Sequence, residues 1–147
     1  LLRGAFEDCA LTTDVMTGFP GETEEEFAQT KQTCIRAGFA RMHVFPYSER
    51  EGTKAAKMEN SVPRALREAR ARELIALGRE LEARALAARV GREEQVLVEE
   101  TDEEGRGVGY SGGYMRVRVP GAQPGEIVRV RITETDHGEL RGKLAGA

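Results

Sequence analysis

Two valine-rich runs late in the chain carry arginine at every second position. In MRVRV, Arg116 and Arg118 alternate with Met115, Val117 and Val119; in VRVRI, Arg129 and Arg131 alternate with Val128, Val130 and Ile132. Alternate residues of a strand share a face, so each run offers two guanidinium groups on one side and an apolar row on the other. If the two strands are neighbours, the four guanidinium groups form one basic patch. Tyr110 and Tyr114 lie in the glycine-rich stretch just before the first run. Arginine beside exposed aromatic rings suits phosphate contact and base stacking, which makes Arg116, Arg118, Arg129, Arg131 and Tyr114 candidates for binding RNA. The ordinary solvated outside of a barrel would give the same alternation.

A second set of candidates lies earlier. LTTDVMTGF (11–19) is β-branched and apolar except for Asp14, and it runs into a turn rich in glycine and proline. HVFPYSEREGT (43–53) leaves an apolar strand through Phe45, Pro46, Tyr47, Ser48, Glu49 and Arg50. That composition fits a plain exit into a loop, or a strand whose C-terminal end faces a ligand. On the second reading, Asp14, Met16 and Gly18 at one strand end and Phe45 and Tyr47 at the other line the site. Asp14 also fits a buried acid satisfied by a neighbouring strand, Gly18 a residue serving the turn, and Glu22 a helix cap. Glu49 and Arg50 fit a solvated loop pair.

Metal chemistry has no support. The chain of 147 residues holds two cysteines, Cys9 and Cys34, and two histidines, His43 and His137, with no metal-ligand spacing among them. Both thiols read as packing residues of a reducing, cytoplasmic compartment. Apolar residues make up 39% and charged residues 32%, and no run approaches the ~18 apolar residues of a membrane span. Neither a membrane nor DNA is expected as a partner. The charge is −2 over residues 1–58, +2 over 59–91 and −3 over 92–147, so any basic surface rests on local clustering. The opening at Leu1, without a cap or a signal layout, suggests a piece of a longer protein.

The elements that position these candidates fall into three segments: 1–58, 59–91 and 92–147. In the first, Thr23 with Glu26 three residues later is a capping box. The helix that follows should place Phe27, Cys34 and Ile35 on its inner side and stop at Gly38. Flanked by the two strands, it makes a βαβ unit with a parallel sheet. In the second, Ser61 can cap a long helix with Pro63 in its first turn. Its stripe would be Leu66, Ala69, Leu74, Leu77, Leu81, Ala85 and Ala88, with arginines opposite, as a solvated face or an RNA-phosphate surface. In the third, short alternating runs between glycine turns describe four or five antiparallel strands in a small barrel or sandwich.

TDVMTGFPGETEEEF, HVFPYSEREGTKAAKM, the arginine-rich helix and the small β segment together resemble the C-terminal part of a radical-SAM methylthiotransferase. HVFPYSEREGT and GYSGGYMRV lean towards the branch acting on threonylcarbamoyladenosine in tRNA, and away from the isopentenyl-adenosine and ribosomal-protein branches. The last segment resembles a TRAM domain, an RNA-binding β-barrel. The resemblance implies an α/β fold, the C-terminal part of a partial βα barrel, followed by a small all-β TRAM/OB-like barrel. It implies tRNA as partner and S-adenosylmethionine bound at the strand ends, where Asp14, Met16, Gly18, Phe45 and Tyr47 would meet its adenosyl part. It also implies two 4Fe–4S clusters in the full-length parent. The radical-cluster triad C-x-x-x-C-x-x-C is absent here, so this chain is expected to be inactive alone. The competing readings are the same chemistry on isopentenyl-adenosine tRNA or a ribosomal protein, and a stand-alone RNA-binding module.

Overall fold

The computed structural model describes residues 2–6 and 9–146; Leu1 lies outside them. The elements run α1 (Leu2–Ala5), β1 (Thr12–Thr17), α2 (Glu24–Ala37), β2 (Arg41–Pro46), a 3-10 turn (Ala55–Lys57), α3 (Arg64–Ala87), β3 (Glu93–Thr101), β4 (Gly107–Ser111), β5 (Arg116–Val119), β6 (Ile127–Asp136) and β7 (Glu139–Leu144). They divide into two compact units: Leu11–Glu82, and Ala83 onward together with the described residues before Leu11.

In the first unit, β1 and β2 are parallel, in register from Thr12 with Arg41 to Thr17 with Pro46. The capping box forms: Glu26 N–H donates to Thr23 Oγ1 at 3.2 Å, and Thr23 N–H donates to Glu26 Oε2 at 2.9 Å. Three acids in the first turn of α2 favour its positive end. Gly38 ends the helix at φ 58°, with its N–H on the Cys34 and Ile35 carbonyls. Phe27 and Cys34 of α2 and Leu74 and Leu81 of α3 form a core against Val15, Met42 and Val44, so both helices cover one face of the sheet.

Two sequence expectations change here. Ile35 is exposed, because it lies one residue, about 100° of turn, beyond the buried Cys34. The inward stripe of α3 is Arg70, Ala71, Leu74, Gly78 and Leu81, while Leu66 and Ala88 are exposed. Ser61 does not cap α3 either. Its hydroxyl accepts from Arg67 Nη2 at 2.8 Å, and the helix begins over the Pro63 carbonyl, which accepts from Leu66 and Arg67.

In the second unit, five strands close a barrel in the order β3-β4-β5-β7-β6. Val96, Val98, Val108, Val117, Val119, Val130, Ile132 and Leu140 fill it, each almost wholly buried. The strands are not all antiparallel. β6 and β7 form a hairpin across His137 and Gly138, both at positive φ, and β7 closes the barrel by running parallel to β5.

Candidate functional site

The β1–β2 sheet has one face against the helices and one turned away from them. Asp14, Met16 and Phe45 share the second face, where Asp14 stands opposite His43 and Met16 opposite Phe45. His43, whose ring lies 5.4 Å from that of Phe45, belongs to the group and was missed; the alternation His43–Phe45 was the signal for it. Asp14 is exposed, not a buried acid. Tyr47 is set apart: it is 8% exposed, packed edge-on by Phe19 at 5.5 Å and covered by the Arg67 guanidinium at 5.2 Å. Its hydroxyl has no hydrogen-bond partner among the described residues.

Arg67 governs both strand ends. It donates to the carbonyls of Val62 at 2.6 Å and Tyr47 at 3.1 Å, while Thr17 Oγ1 donates back to its carbonyl at 3.0 Å. Gly18, at φ 69°, lies directly beneath; a Cβ there would sit 2.3 Å from Arg67 Cγ. Glu22 does not cap α2, whose cap is Thr23 with Glu26. Its Oε1 accepts from Gly18 N–H at 3.0 Å and from the buried Arg70 at 2.6 Å. Arg70 also reaches Glu24 at 3.1 Å and lies over the Phe27 ring. Arg67 and Arg70 were grouped with the solvated side of α3. The signal against that is spacing: Arg70, Leu74, Gly78 and Leu81 follow one helical stripe.

Outside the barrel, the four arginines are not one patch, because β7 separates β5 from β6. Arg116 pairs with Glu100 at 3.2 Å and Glu139 at 3.1 Å; Arg118 pairs with Asp102 at 3.0 Å and Glu139 at 2.6 Å. Two cations thus meet three carboxylates. Asp102 also accepts backbone N–H groups from Arg106 and Glu104, and these bonds, with the Arg106 side chain, hold its carboxyl down at about 2. On the other side the balance reverses. Arg131 pairs with Glu93 at 2.6 Å, Arg129 stands 4.0 Å from the same carboxylate, and Lys143 lies opposite Arg131 in the ladder. Two arginines share Glu93 there, with Lys143 across the ladder from one of them.

Next to that basic side runs an apolar row. Tyr110 on β4 faces Leu97 on β3, which faces Ile127 on β6. Leu97 and Ile127 are 46% and 71% exposed. Tyr114, 79% exposed at φ 59°, stacks on Tyr110 with centroids 5.1 Å apart and an interplanar angle of 26°. Leu97 and Ile127 were missed as well. Leu97 was detectable, since it is apolar at the outward position between Val96 and Val98.

Residues 87–145 match the TRAM domain. The threonylcarbamoyladenosine tRNA methylthiotransferase MtaB of Bacillus subtilis is 40% identical over 97% of this chain and 33% of its own length. The tRNA-2-methylthio-N(6)-dimethylallyladenosine synthase of Cereibacter sphaeroides is 42% identical over 99% of this chain and 34% of its own. The chain belongs to the methylthiotransferase family. A solved structure, the conserved protein from the gene locus MMP0076 of Methanococcus maripaludis, aligns with TM-score 0.35 and 23% identity, over 38% of this chain and 79% of that one.

The chain spans about a third of the length of the curated relatives it matches. Its barrel is the TRAM domain, and the match takes in Arg89, whose guanidinium enters the barrel end beside Glu94. Its two thiols do not fit an iron–sulfur cluster. Cys34 is buried in the helical core, where burial pushes its thiol up, away from the thiolate that a metal needs. Among the described residues no three His, Cys, Asp or Glu side chains are grouped to hold a metal ion, and no helix is long and apolar enough to cross a membrane.

Proposed function

We propose that the chain is the C-terminal part of a tRNA methylthiotransferase that places a methylthio group at C2 of N6-threonylcarbamoyladenosine next to the anticodon, by radical S-adenosylmethionine chemistry. The observation that carries this reading is the 40% identity to MtaB along 97% of the chain. An unactivated aromatic C–H has no proton that a side-chain base can remove, so the cofactor carries the reaction.

On this reading β1–α2–β2 is the last part of a partial βα barrel, and the chain divides at 1–58, 59–91 and 92–147. β1 pairs only with β2 among the described residues, which leaves an edge for upstream strands to extend. S-adenosylmethionine, when bound, supplies the radical and the methyl group. Asp14, Met16 and Phe45 would meet its adenosyl part from the open sheet face, with Gly18 and Tyr47 forming the strand ends beside them. Two 4Fe–4S clusters would be held by cysteines elsewhere in the parent, and this chain alone would be inactive. Of Arg116, Arg118, Arg129, Arg131 and Tyr114, the β6 pair and Tyr114 would bind tRNA from the barrel, in the cytoplasm, with no membrane or DNA partner, while Arg116 and Arg118 are held by Glu100, Asp102 and Glu139.

A second reading takes dimethylallyladenosine in tRNA as the substrate, favoured by the 42% identity to the Cereibacter sphaeroides enzyme. Mass spectrometry of tRNA nucleosides from cells with and without the parent gene separates the two. Loss of only the methylthio form of threonylcarbamoyladenosine supports the first, loss of only that of dimethylallyladenosine supports the second, and no loss refutes both.

A further inference from the structure

The apolar row and its charge surroundings identify a more specific ligand than RNA in general. We infer that Tyr114, Tyr110, Leu97 and Ile127 form a platform for unstacked bases of single-stranded RNA, with Arg129 and Lys143 contacting the phosphates. The inference rests on the proposed reading that the barrel binds tRNA.

Tyr110, Leu97 and Ile127 face one another across three adjacent strands. At about 4.8 Å per strand the row is roughly 10 Å long, room for about two bases laid face-down on it. The exposed Tyr114 ring adds a flat surface at one end, already stacked on Tyr110. Every base has a π-face, so such a surface takes bases without regard to sequence. Paired bases in a duplex have their faces covered and cannot lie on it. At the other end, Ile127 is followed two residues later by Arg129, on the side where Arg129 and Arg131 share the one Glu93 carboxylate and Lys143 lies opposite Arg131. A single strand laid along the row would bring its phosphates to that excess positive charge. The β5 arginines, already matched by Glu100, Asp102 and Glu139, have little attraction left for phosphate. An apolar row with one basic flank and an aromatic end suits a single strand with its bases laid on the row better than a protein surface, which would need no cation surplus.

The test uses the whole chain, a labelled single-stranded RNA, the same RNA annealed to its complement, and an unmodified tRNA transcript. Tyrosine emission gives a direct readout, because the chain has no tryptophan and two of its three tyrosines are in the platform. The single strand should bind more tightly than the duplex and quench tyrosine emission. Tyr114→Ala should weaken it roughly tenfold with the salt dependence unchanged. Tyr114→Gly should weaken it equally without lowering the thermal midpoint, since glycine accepts the φ of 59°. Arg129→Gln with Lys143→Gln should flatten the slope of log affinity against log salt by about one to two units, and Arg116→Gln with Arg118→Gln should not. Unchanged binding by both Tyr114 variants, or equal affinity for duplex and single strand, refutes the platform and leaves RNA binding standing. If the wild-type chain binds no RNA, the RNA reading itself falls and the platform with it. Self-association abolished by Ile127→Gln, without RNA binding, would make the row a protein interface and refute the inference.

Discussion

Glu94 is an acid on the inward face of a barrel strand, two residues before Val96. It is 7% exposed, and Arg89, at 9%, donates Nη1–H to its Oε1 at 3.0 Å. At that distance and an effective dielectric of ~20 the attraction is about 5.5 kcal/mol, against which stands the cost of taking both charges out of water. The net contribution of such a pair is small, but removing Arg89 leaves the buried Glu94 carboxylate without its guanidinium and costs about 3–5 kcal/mol. Arg89→Met should therefore destabilise the barrel by about that amount. For a domain this small, that corresponds to a fall of roughly 12 °C or more in midpoint. The double variant Arg89→Met, Glu94→Leu fills the same space without charge and should return to within about 1 kcal/mol of wild type or exceed it. Urea unfolding of the whole chain followed by far-UV circular dichroism measures both. An Arg89→Met effect under about 1 kcal/mol, or a double variant as unstable as the single, would refute the reasoning.

Three further outcomes follow from the geometry. The carboxyl of Asp102 is held at about 2, below its ordinary 3.8, by the Arg106 backbone N–H first, and then by the Arg106 side chain and the Glu104 N–H. Because the folded value is the lower one, its contribution is present above the unfolded value and disappears as pH falls from about 4 through about 2; Asp102→Asn should remove that part of the acid unfolding profile. Gly18→Ala forces a side chain into φ 69° and 2.3 Å from Arg67 Cγ, so residues 11–82 should lose about 2 kcal/mol or more, and wild-type stability in that variant would count against the clamp. A piece spanning 83–147 should give a dispersed proton NMR spectrum. One starting at 92 lacks Arg89 and should be markedly less stable, and equal stability of the two would deny the pair its role.

What the sequence made legible was local. The capping box needs only Thr23 and Glu26 three residues apart, and the helix stop only Gly38. The barrel interior follows from alternation within each run, which placed Met115, Val117, Val119, Val130 and Ile132 inside. The open-face grouping of Asp14, Met16 and Phe45 also follows from alternation, once β1 and β2 are parallel neighbours. On α3, the count of arginines gave no indication that Arg67 and Arg70 turn inward. Their carbonyl and carboxylate partners at Val62, Tyr47 and Glu22 lie outside the helix, and helical periodicity was the one available clue.

Strand order was not legible, and it governs the electrostatics. Arg116 and Arg118 are as regularly spaced as Arg129 and Arg131, and nothing within either run tells them apart. The distinction comes from the β6–β7 hairpin. By turning β7 against β5, it brings Glu139 between Arg116 and Arg118, while Lys143 at the other end of β7 comes opposite Arg131. One strand thus supplies a carboxylate to one arginine pair and a cation to the other. The same alternation therefore yields a neutralised surface on β5 and a basic one on β6. Local field, set by these neighbours and not by the domain's charge of −3, decides where a phosphate can be held.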